Sequence, residues 1–151
     1  MDIKNLIGSG DKIMIFTLSF VALGMILNVF YPLTFYIGAP APVLEAISFV
    51  LLITGIIIWL WAVVLILINV PQRKLITHGP YHLVKHPIYT SVALLVLPWA
   101  GFLLNTWLGV PLGIILYIAS RIFSGEEEKK LSAIFGRDWD VYWSSVLIRW
   151  L

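Results

Sequence analysis

Two short stretches hold most of the residues able to bind or align a polar ligand. The first runs from Gln72 to Tyr89 and carries Arg73, Lys74, His78, Tyr81, His82, Lys85, His86 and Tyr89. The second opens at Arg121, continues through Glu126, Glu127 and Glu128, and reaches Phe135 and Gly136. The chain has no cysteine, so thiolate nucleophiles, disulfides and cysteine-based metal sites are excluded. His78 and His82 have no third ligand at a spacing suited to zinc, and solvated loop positions account for them. Gly8-Ser-Gly10 is a fragment of a nucleotide loop with no strand before it, and carries nothing. What remains is a set of hydrogen-bonding groups with aromatic rings beside them. Carboxylates accept from hydroxyl and amino donors, and aromatic faces attract a cation.

Each of these residues also has a plainer reading. Pro87 suits the first turn of a helix, with His86 a polar residue just before it. Gly79-Pro80 suits a turn. Arg121, near the end of an apolar run, is placed for snorkelling to lipid headgroups. A run of three acids is often a solvated helix face.

The elements that must position these residues are apolar. The chain of 151 residues is 60% hydrophobic and 12% charged, about half the charge of a soluble domain. A fold this small cannot hide so much apolar surface from water, so lipid must replace the polar exterior. Four apolar runs stand out: about 13–30, 43–68, 88–104 and 107–123. The first covers roughly 27 Å as a helix, near the thickness of a hydrocarbon core. It is read as a retained helix, since no basic region or small-residue cleavage site marks a signal peptide. The second is longer than a perpendicular span needs, so it tilts or projects past the lipid. Asn105 and Thr106 separate the last two runs, which forces an antiparallel hairpin. Pro98 and Pro111 lie inside these runs and predict kinks or first turns. Beyond the acids, Trp139, Tyr142, Trp143, Val146, Leu147 and Trp150 recur at helical spacing. They predict an amphipathic helix, too polar to span, packed on the hairpin or along the interface.

Charge placement orients the chain. Residues 69–87 carry Arg73, Lys74 and Lys85 with no acid, and residues 31–42 carry no charge. By the positive-inside rule the first loop is cytoplasmic and the second external, which with four spans puts both termini in the cytoplasm. The net charge of +2 sits beside membrane segments rather than on a long polar face, which argues against nucleic acid as a partner. The expected architecture is an all-α, multi-pass integral membrane protein of one domain. Residues 1–68 supply the first transmembrane helices. Residues 69–151 supply a ligand-binding loop, the hairpin and the cytoplasmic amphipathic helix. The size and the lack of a targeting peptide suit a prokaryotic plasma membrane.

The stretch Leu75-Ile-Thr-His-Gly-Pro-Tyr-His-Leu-Val-Lys-His-Pro-Ile-Tyr89 resembles the signature of the isoprenylcysteine carboxyl methyltransferase family. That signature reads Leu-Val-Thr-x-Gly-x-Tyr, then Arg-His-Pro-x-Tyr. In the family a helical hairpin, a Glu-Glu run, Phe-Gly and spaced aromatics follow. Here the acids, Phe135-Gly136, Trp139 and Tyr142 follow in that order, so the resemblance covers about residues 69–149. It implies a membrane methyltransferase that uses S-adenosylmethionine at the cytoplasmic face on a lipophilic acceptor: a prenylcysteine carboxylate, a thiol or a lipid. Carried over to this chain, it implies cofactor contacts from Arg73, Lys74, Leu75 and Ile76, mainly through backbone. Tyr81, His86, Pro87 and Tyr89 would line the cofactor pocket. An acid of the Glu126–Glu127 pair would hold polar groups of the cofactor, and the resemblance leaves open which; Glu126 is placed with the cofactor and Glu127 with the catalytic residues, beside Arg121, which would face the substrate near the reacting group.

Two departures stand out. Lys85 replaces the usual Arg and loses its bidentate geometry. The family's key acid follows its Arg by one helical turn, where this chain has Gly125. A helix break at Gly125 would reset the register. Methyl transfer from a sulfonium needs alignment and dehydration more than a strong acid or base, and a pocket sealed by apolar helices supplies both. Two other classes remain open from sequence. One is an NADPH-dependent sterol-type membrane reductase, which shares a His-Pro-x-Tyr segment but is generally longer. The other is a membrane scaffold without catalysis.

Overall fold

The computed structural model describes residues 8–38 and 41–149. Four long helical segments dominate: α1 (Gly8–Phe30), α3 (Pro42–Asn69), α5 (Pro87–Leu103) and α6 (Gly109–Phe135). Single turns α2 (Pro32–Phe35) and α4 (Pro80–Leu83) sit in the connections, and α7 (Arg137–Ser145) closes the chain. Among the described residues the only extended pairing is an isolated bridge between Tyr36 and Thr106.

The surface is inverted relative to a water-soluble bundle. Leu33, Val43, Leu67 and Phe30 are each about 70% exposed or more. In α3 the buried positions are instead small: Ser48, Gly55 and Ala62, seven residues apart, followed by Leu65. In water this would be a large aggregation-prone patch. In lipid it is the expected pattern, because tails are as apolar as leucine and helices associate through close backbone packing at small residues. Two helices, Lys12–Phe30 and Pro42–Gln72, are long and apolar enough to cross a membrane. Pro87–Leu103 is apolar but shorter, and the fourth apolar run is the first half of α6.

The predicted hairpin is present, with its two arms in close contact. Gly113 is buried, and a Cβ there would collide with the Ala93 carbonyl. Both prolines act locally. Pro98 cannot donate to the carbonyl one turn back, and just before it α5 widens to a π-turn over Val92–Val96, with the Leu97 N–H donating to the Val92 carbonyl. Pro111 falls in the first turn of α6, where the missing N–H costs nothing.

Two expectations are corrected. No break occurs at Gly125: α6 runs unbroken to Phe135, because one glycine costs a helix only about 1 kcal/mol. The amphipathic helix is also shorter than its aromatic stripe. It ends at Ser145, Val146 turns extended, and Leu147 and Ile148 donate backbone N–H groups to the carbonyls of His82 and Leu83. Trp150 lies outside the described residues.

Hydrogen bonds mark the two ends of the bundle. At one end Lys12 at the start of α1 pairs with Glu126 of α6 at 3.3 Å. At the other, Thr106 donates to Asn28 near the end of α1, and the Trp107 indole donates to the Thr34 carbonyl. The beginning of α1 therefore lies at the same end as the acidic half of α6.

Candidate functional site

At that end the last turn of α3, the chain from Arg73 to Tyr89, α6 and α7 enclose a cavity of about 190 Å³. Ile66 and Val70 line it from the end of α3. Arg73, Lys74, Leu75 and Ile76 run along one side, and Tyr81, Lys85, His86, Pro87, Ile88 and Tyr89 along another. Glu127, Leu131 and Phe135 of α6 face them, with Trp139 and Tyr142 of α7 beside.

Local chain geometry explains this convergence. A short 3₁₀ turn, Val70–Gln72, ends α3, and Arg73 takes a left-handed conformation (φ 55°) that turns the chain sharply away from the helix. For a residue with a side chain this is uncommon and persists where the surroundings impose it. Gly136 (φ 52°, ψ −120°) makes the second reversal, between α6 and α7, in a region that only glycine visits freely. That reversal folds α7 back so that Trp139, Tyr142 and Val146 form a buried cluster packed against Leu75, Leu131 and Phe135. The Tyr142 hydroxyl donates to the Tyr81 carbonyl at 2.9 Å and ties α7 to the signature segment.

Helix register sends the three acids to three different neighbours. Glu127, Leu131 and Phe135 fall at four-residue spacing and share the cavity face. Glu126 points away, exposed, toward Lys12. Glu128 points toward the signature turn, where one carboxylate oxygen accepts from Lys85 Nζ at 2.8 Å and His86 Nε2 at 3.0 Å. The Lys85 side chain is 4% exposed, and its ammonium also lies 3.6 Å from the centre of the Trp143 ring. Burial alone would raise the Glu128 carboxyl. The hydrogen bonds from His86 and Lys85, with the charge of Lys85, outweigh it and hold the group below the usual carboxylate range. Burial pushes the Tyr81 phenol up, and the Glu127 carboxylate adds to this. Tyr142 is raised by burial and then by Glu128. Both hydroxyls stay neutral donors at ordinary pH.

Nine of the sequence-derived site residues therefore meet around one cavity: Arg73, Lys74, Leu75, Ile76, Tyr81, His86, Pro87, Tyr89 and Glu127. Two do not. Glu126 is engaged with Lys12, on the flank of α6 toward α1. Arg121 is exposed on α6 and does not line the cavity. Sequence reasoning missed Lys85, Leu131 and Phe135 as wall residues and Glu128 as the partner of Lys85 and His86. It read Trp139 and Tyr142 as packing or anchoring, and they are also wall. The spacing of Glu127, Leu131 and Phe135 was the available signal, but it has meaning only if the helix continues through Gly125. Among the described residues no cluster of side chains is suited to a metal ion.

The fold and the cavity define a helical membrane protein with a small-ligand pocket at one end of its bundle. Residues 43–133 match the model of the isoprenylcysteine carboxyl methyltransferase family. The match spans more than half the chain, from α3 through the signature segment and hairpin into the acidic half of α6, and the chain belongs to this family of membrane methyltransferases. Comparisons with curated proteins and with solved structures found no match.

Proposed function

We propose that this protein transfers a methyl group from S-adenosylmethionine to a lipophilic acceptor at the cytoplasmic face of the membrane. The observation that carries the reading is the cavity itself, where the signature segment faces Glu127 and the rings of Phe135, Trp139 and Tyr142. The donor set suits this cofactor. Aromatic faces take an adenine and attract a sulfonium, a carboxylate accepts from hydroxyl or ammonium donors, and residues 73–76 border the space. When bound, S-adenosylmethionine supplies an electrophilic methyl on a positively charged sulfur. The chain's own part is binding, alignment and exclusion of water. Glu127 holds donors, Tyr81 and Tyr89 line the pocket, and α7 covers it. Apolar walls raise the share of the barrier removed by positioning alone. Arg121, exposed on α6, is available to an acceptor arriving from outside the cavity rather than to the cofactor.

The same reading takes all four apolar segments as spans, with residues 1–151 forming one membrane domain. It places the cavity and both termini in the cytoplasm, and it fits a prokaryotic plasma membrane. The charge asymmetry between 69–87 and 31–42 supports the orientation. So does the Lys12–Glu126 pair, which sets the start of α1 at the cavity end.

Isothermal titration of the detergent-purified protein with S-adenosylhomocysteine tests the proposal. Saturable one-to-one binding is expected. NADPH binding without S-adenosylhomocysteine binding would replace the reading with a reductase, and binding of neither would leave a scaffold.

A further inference from the structure

Glu128 is outside the cavity wall, yet it joins both residues of the Lys85-His86 step through one oxygen. An ionised carboxylate can only accept hydrogen bonds, so the His86 nitrogen facing it must carry a proton. The carboxylate's charge is already balanced by Lys85, which is buried, 2.8 Å away and also over the Trp143 ring. His86 is itself one of the residues that line the cavity.

We infer that Glu128 is a positioning residue that fixes His86 as the Nε2–H tautomer and so leaves Nδ1 as a hydrogen-bond acceptor for the molecule in the cavity. Two acceptors, the Glu127 carboxylate and His86 Nδ1, then converge on a ligand that brings N–H or O–H donors. The inference rests on the cofactor reading above for the identity of that ligand, but the tautomer does not depend on it. It also gives Lys85 a role. Without the lysine, the carboxylate would be left to the imidazole alone, and His86 would be drawn toward serving as counter-ion instead of neutral donor. A histidine ring nitrogen engaged by a carboxylate is a general way to orient the other nitrogen.

The test has two independent parts. Nitrogen-15 NMR of histidine-labelled protein in detergent, at a pH above 8 where free imidazole is neutral, reads the tautomer directly. His86→Asn assigns its signal among the three histidines. The Nε2–H form is expected in the parent protein and in Glu128→Gln, which keeps an accepting oxygen, and a mixture of tautomers in Glu128→Leu. A parent protein with Nδ1–H would overturn the inference whether or not any ligand binds. In the second part, S-adenosylhomocysteine titration should show Glu128→Leu and His86→Ala each weakening binding by about tenfold. The double variant should be no weaker than His86→Ala alone, and Glu128→Gln should restore most of the loss. Losses that multiply would mean that Glu128 acts separately from His86, and would also overturn it. No binding by the parent protein, with the Nε2–H tautomer intact, would remove the cofactor reading and leave the positioning role standing.

Discussion

Three adjacent glutamates do three different things because an α-helix turns about 100° per residue. Glu126 reaches α1, Glu127 enters the cavity wall, and Glu128 braces the signature turn. The family resemblance could point to the run but not to the member, since a glycine at 125 leaves the register open on paper. The unbroken helix closes it. Paired substitutions check the assignment. Glu127→Gln should weaken S-adenosylhomocysteine binding by about tenfold, the worth of one hydrogen bond to a charged group. Glu126→Gln should leave affinity within about twofold, because its partner Lys12 is 56% exposed and surface ion pairs contribute little. Calorimetric titration of both variants decides it, and equal losses would return Glu126 to the site.

At the scale of elements, the hairpin and α7 divide the labour. The hairpin sets the distance between the signature segment and the acids, and its closeness depends on Gly113 beneath the Ala93 carbonyl. Gly113→Val should cost about 3 kcal/mol or prevent accumulation, at the upper end of overpacking effects, because a backbone carbonyl cannot step aside as a side chain can. Thermal unfolding in detergent measures it, and an unchanged midpoint would show that the two arms are loosely packed at Gly113. The fourth apolar run and α7 were both legible in sequence as apolar and amphipathic periodicities. Their boundaries were not. Periodicity carried the first past Phe123 only as a polar segment of unknown geometry. It ran the second on to Trp150, although the helix ends at Ser145 and the chain pairs with His82 and Leu83 instead. Long-range backbone pairing of that kind has no local signature.

At the scale of the whole molecule, the arrangement makes a prediction about sidedness. The chain has no cysteine, so single cysteines report cleanly. In intact cells, Gly38→Cys should react with a membrane-impermeant maleimide, while Ser145→Cys should react only after permeabilisation. The reverse pattern would invert the topology and put the cavity outside. The sequence alone was enough to specify a lipid-embedded helical protein, its four apolar segments, the hairpin and the two polar blocks, because composition and periodicity are local sums that need no knowledge of neighbours. It was also enough to suggest the family, through residues whose order survives without coordinates. Only the tertiary structure decided which side chains of those blocks meet. That outcome turns on helix register through Gly125, on the backbone reversals at Arg73 and Gly136, and on a buried lysine shared between a carboxylate and a ring. Each of these is a property of angles and distances between segments far apart in the chain.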